Sequence, residues 1–185
     1  AANATASMAL SISINDGALT DSRNVTLDVT AVNDAPLNSL PAAQSVDQNA
    51  FLVFSSGNGN LISISDVDAG AGILRVTLNA SNGRLSLAGT SGLTFSTGTG
   101  SGDASMTFEG TLIDINNALN GLSFSPTAGY NGAAALTIET SDLGLSGSGG
   151  TQIDTDTIQI TVNPINPVIT AISSSNADGT YKVGD

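Results

Sequence analysis

Side-chain oxygens are paired at two places in the chain. Asn33 and Asp34 are adjacent in TAVNDAP, just ahead of Pro36, and Asp66 and Asp68 flank Val67 in ISDVDAG. If Val67 points inward along an extended run, both carboxylates point outward together. Like charges so close are costly unless a cation or hydrogen-bond donors offset them. Ca2+ takes oxygens of this kind, about six to eight at a time, from carboxylates, amides, carbonyls and water. Asp16 and Asp21, in INDGALTD, are read as approaching the same end. Asp142, Asp154 and Asp156 form a candidate second site, the last two alternating on one strand face. The competing reading is that Asp and Asn only build turns by binding nearby backbone N–H groups.

Other chemistry is poorly supplied. The 185 residues include no His, Cys or Trp, so the usual nucleophile, base, thiolate and zinc constellations are missing. Glu109 and Glu139 adjoin strand-like runs, where Arg75 or Arg84 could pair with them, and do not form a compact acid pair. SSGNGN and GTGSGDAS are glycine-rich, but neither is followed by the Lys and helix of a phosphate loop. The chain reads as non-enzymatic. Lys and Arg total 4 against 16 acids, too few for a basic patch that would hold nucleic acid. No apolar stretch is long enough for membrane insertion, and the acidic excess suits an extracellular or secreted protein. The start, AANATASMAL, lacks the charged region of a signal peptide and reads as the interior of something larger.

The acidic residues sit among short strand patterns. Period-two alternation runs through Leu10, Ile12 and Ile14; Val25, Leu27 and Val29; Phe51 to Phe54; Leu61 to Ile64; Leu74 to Leu78; and Leu85 to Leu87. It continues through Leu93 and Phe95, Met106 and Phe108, Leu122 and Phe124, Leu136 and Ile138, and then Ile158, Ile160 and Val162. Turns such as SNGR and AGYNG separate these runs, a spacing that predicts an all-β sandwich. TLIDINNAL breaks the pattern, with Leu112, Ile115 and Leu119 at helical spacing, Thr111 as cap and Asp114 near the positive end of the dipole. It predicts a short helix crossing one end of the sandwich.

The chain also repeats itself. ALSISINDG matches ALTIETSDLG, and DSRNVTLDVTAVNDAP matches DTDTIQITVNPINPVI, the second copy carrying the longer hairpin loop GLSGSGGTQ. The parse that follows has residues 1–33 as the last strands of one module, 34–166 as a complete module, and 167–185 as the start of a following module of a different type. Strands cut from their module expose apolar faces and unpaired edges, so edge-strand pairing between molecules is an expectation.

TLDVTAVNDAP, ISDVDAG and INNALNGLSFSPTAGYNGAAALTIETSDLG resemble the cadherin-like tandem repeats of giant bacterial surface and type I-secreted (RTX-type) adhesins, and the related chondroitin-sulfate-proteoglycan-type repeats. The resemblance covers residues 8–166. It implies a cadherin-like (Ig-like, Greek-key) sandwich and Ca2+ between successive modules. The linker role falls on Asn33 and Asp34 and the loop role on Asp66 and Asp68. It further implies neighbouring repeats as partners, and a host-cell or matrix component bound through the full-length protein in cell adhesion. The expected glutamate near the start of the central module is missing, with Asp47 or Gln48 as weak substitutes. At the second hinge, Pro167 follows Asn166 where the first has Asp34, which suits a stiff junction without metal. The rival reading is a calcium-assisted carbohydrate-binding or protein-binding module, in which Tyr130 would offer a ring to a sugar. An isopeptide staple would need a buried lysine, and Lys182 lies in the tail.

Overall fold

The computed structural model describes residues 6–144 and 147–165. The expectations for Asn166, Pro167, Lys182 and the following module lie outside these residues. Strands β1 (Ala6–Asn15) and β2 (Thr20–Val29) form an antiparallel hairpin. The body begins with β3 (Leu37–Ser39), β4 (Gln44–Asp47), β5 (Leu52–Phe54) and β6 (Ser63–Ser65). It continues with β7 (Ile73–Ser81), β8 (Gly83–Ser86), β9 (Thr94–Thr97), β10 (Ser105–Thr111), helix α1 (Leu112–Leu119), β11 (Leu122–Pro126), β12 (Gly132–Ser141) and β13 (Ile153–Asn163).

A six-stranded sheet has the order β4-β13-β12-β7-β10-β9, a three-stranded sheet the order β5-β11-β8, and β3 pairs with β6. Among the described strand pairs, β13 with β4 is parallel and the rest are antiparallel. Alternation along the strands explains how the sheets meet. Leu74, Val76 and Leu78 of β7, Leu136 and Ile138 of β12, and Ile158 and Ile160 of β13 join Phe54, Leu85, Leu122 and Phe124 of the smaller sheet in one buried cluster. Each such side chain contributes about 1.5–3 kcal/mol on leaving water. Among the described residues, the result is an all-β sandwich with one short helix.

Helix α1 forms as its pattern predicts. Thr111 Oγ1 accepts from the Asp114 N–H at 3.2 Å and donates to Asp114 Oδ2 at 2.7 Å. Ile115, Ala118 and Leu119 are buried, while Leu112 is partly buried against the core. Asn116 faces β6 and reads it as a strand would, accepting from the Ile64 N–H at 2.8 Å and donating to the Ile64 carbonyl at 2.9 Å. Arg75 and Glu109, opposite each other on β7 and β10, form an ion pair at 2.7 Å. Glu139 instead faces Thr155 and Thr77.

The buried cluster starts at Val46 and has no member in β1 or β2. Packing tolerance inside it is narrow at Gly83, where a Cβ would stand 2.2 Å from Phe124 Cε2 and 2.8 Å from the Ser125 carbonyl oxygen. Gly83→Ala must displace that ring and the adjacent strand, and overpacking of this kind costs about 1–3 kcal/mol. Urea denaturation is expected to show that loss, with an unchanged slope.

Candidate metal centre at the linker

Segment 31–36 joins the hairpin to the body and is fastened along its length. The Ser148 N–H donates to the Ala31 carbonyl and the Asn33 N–H to the Ser148 carbonyl, both at 2.9 Å. Gly147 lies against this segment with φ +81°, and a Cβ there would come within 2.7 Å of the Val32 carbonyl carbon. Glycine is required on both counts. The buried Asn33 side chain donates through Nδ2 to Asp142 Oδ2 and to the Gly150 carbonyl, the latter at 2.7 Å. Asp142 is only 1% exposed, and its Oδ1 accepts from the N–H groups of Gly144 and Gln152, each at 2.8 Å. Three N–H donors thus stand in for the water that this carboxylate loses on burial.

The ISDVDAG loop meets the same segment. Asp66 Oδ1 accepts from the N–H groups of Asp68 at 2.8 Å and Ala69 at 3.1 Å, while Asp68 Oδ2 accepts from the Asp34 N–H at 2.6 Å. Val67 does not point inward as the extended reading has it; it is 63% exposed, and Ala69 is buried instead. The backbone bonds to Asp66 curl the loop into an Asx-type turn, replacing strand alternation. Each side chain has one polar atom fixed and one left over. Asn33 Oδ1, Asp66 Oδ2 and Asp68 Oδ1 are buried and have no hydrogen-bond partner. Unsatisfied buried acceptors cost about 1–3 kcal/mol each, and oxygens of this type suit a hard divalent cation. Among the described residues, no three acidic side chains are grouped as a carboxylate metal site would require. A cation at this junction would have to draw on the Asn33 amide oxygen as well as on the two loop carboxylates. Asp34 is exposed and joins the arrangement through its backbone N–H.

The remaining expected residues lie elsewhere. Asp16 and Asp21 do not approach the linker, because ten-residue strands carry the hairpin turn away from it, a distance of about 30 Å along β2. Asp16 Oδ1 accepts from the N–H groups of Leu19 at 2.7 Å and Ala18 at 2.9 Å, and these bonds hold its carboxyl below the ordinary range. Asp21 lies 3.7 Å from Arg23. Asp154 and Asp156 do share a face, and both serve Asn38: Asp154 Oδ2 accepts from the Asn38 N–H at 2.7 Å, and Asp156 Oδ2 from its Nδ2 at 3.3 Å. Tyr130 is partly buried, its hydroxyl donating to the Ala133 carbonyl at 2.5 Å and accepting from Asn82 Nδ2 at 3.0 Å. It lies next to the Gly132 end of β12, whereas Asp142 follows the Ser141 end, about 30 Å of strand away.

Asp142→Ala would leave the Gly144 and Gln152 N–H groups and one Asn33 donor without their acceptor. The expected loss is about 1–3 kcal/mol, read by urea denaturation, with faster amide exchange at Asn33. Asp142→Asn is expected to lose less.

No protein-family model and no curated protein matches the chain. Among solved structures it is similar to a cohesin module from a Clostridium perfringens family 33 glycoside hydrolase, at 8% identity and a TM-score of 0.44, over 71% of this chain and 98% of that one.

Proposed function

We propose that the chain is a non-catalytic structural module of a large extracellular adhesin, cadherin-like in design, whose linker is stiffened by Ca2+. The observation that carries this reading is the set of three buried acceptors without donors, Asn33 Oδ1, Asp66 Oδ2 and Asp68 Oδ1. They stand on the two segments that the Asp34 N–H to Asp68 bond already ties together. A cation bound by them would remove bending freedom between hairpin and body. Stability would then rise with free Ca2+, by about 2.7 kcal/mol at a hundred times the dissociation constant.

Calorimetric titration and thermal unfolding in chelator test this. Saturable binding and a raised melting temperature are expected for the native chain, both lost in Asp66→Ala/Asp68→Ala and weakened in Asn33→Ala. Absence of binding at millimolar Ca2+ would leave the loop as a turn alone.

A second reading, binding of another protein, is favoured by a separate observation. On β1 and β2, Met8, Leu10, Ile12, Val25, Leu27 and Val29 are all exposed, an apolar strip of the kind that marks protein contact.

A further inference from the structure

The two hairpins are copies in register. Leu10 faces Val25 as Leu136 faces Ile158, Met8 faces Leu27 as Ala134 faces Ile160, and Ile14 faces Asp21 as Thr140 faces Asp154. Their surroundings differ. β12 and β13 are flanked by β7 and β4, whereas β1 and β2 form a two-stranded sheet. Leu136, Ile158 and Ile160 are at most 2% exposed, but Leu10, Val25 and Leu27 are 56%, 49% and 54% exposed. The polar positions are unequal in the same way. Asp142 and Asp154 hold Asn33 and Asn38, while their counterparts Asp16 and Asp21 hold their own turn and Arg23.

We infer that the β1–β2 hairpin docks on a β-sandwich body of the β3–β11 kind that has no final hairpin of its own. A β7-like strand adds antiparallel to β1, and a β4-like strand adds parallel to β2. An entering linker places a side-chain amide on Asp16, as Asn33 does on Asp142. Arg23 stands where Asp156 stands, so the partner presents an acceptor at the position of Asn38. A second copy of this chain offers no open seat, because its own β12 and β13 fill the site with buried Leu136, Ile138, Ile158 and Ile160. The inference rests on the protein-binding reading and is independent of Ca2+.

The test places residues 30–131 directly ahead of Ala6 in the full chain, so that the added body meets β1 where Gly132 normally begins β12. Amide exchange is measured on this tandem chain and on the native chain, in chelator and in Ca2+. Exchange of the β1 and β2 amides is expected to slow by at least about 100-fold in the tandem chain, the scale that burial in a cooperative unit confers. Leu10→Asp with Leu27→Asp should restore native-chain rates there, while β12 and β13 stay protected as the internal standard. Equal β1 and β2 rates in the two chains would overturn the inference, as would an added body that stays unfolded beside the hairpin. So would a native chain that sediments as a dimer with β1 and β2 already protected. The effect is expected in chelator as well, so the calcium reading can fail without it.

Discussion

Asp142 is the group on which the arrangement of the linker depends. Its carboxylate is buried and accepts from Asn33, Gly144 and Gln152, so it fixes the end of β12, the start of β13 and the entering chain with one side chain. Burying a charge without such donors would cost several kcal/mol. With Asn33 held, its other amide atom turns toward unpaired surroundings, and the Asp34 N–H is delivered to Asp68. The linker geometry therefore follows from a residue more than a hundred positions away in the chain.

Much of the sandwich was legible because its strands alternate cleanly. The runs around Leu74–Leu78, Leu136–Ile138 and Ile158–Val162 became β7, β12 and β13, and the helical spacing in TLIDINNAL became α1. β3 and β4 gave no such signal. They are short and largely polar, and tertiary bonds hold them: Asn38 is gripped by Asp154, Asp156 and Thr140, and β4 is paired to β13. Phe51, at the head of an apolar run, is instead exposed outside β5.

The candidate site was legible in part. Adjacent oxygens at Asn33–Asp34 and Asp66–Asp68 pointed to one neighbourhood, and the structure brings the two segments together. What spacing could not show is which atom of each pair is consumed by the backbone. Nor could it show that a ten-residue hairpin would carry Asp16 and Asp21 to its far tip. The roles of Asn38 and Gln152 were also missed. An amide inside a strand or loop looks like any water-facing side chain until its partner is placed beside it.

The parallel pairing of β4 with β13 has a mechanical meaning. The chain enters the body at the Asp142 end and leaves along β13 toward Asn163, at the opposite end. Tension applied through these two points pulls β4 back toward its start and β13 forward toward its finish. The bonds linking Gln44–Asp47 to Ile160–Asn163 are then loaded together in shear, evenly spaced along the pair. Strands peeled apart break such bonds singly; strands slid past each other must break them at once. In this body, the shortest flanking strand of the hairpin edge is placed to act as a clasp against stretching.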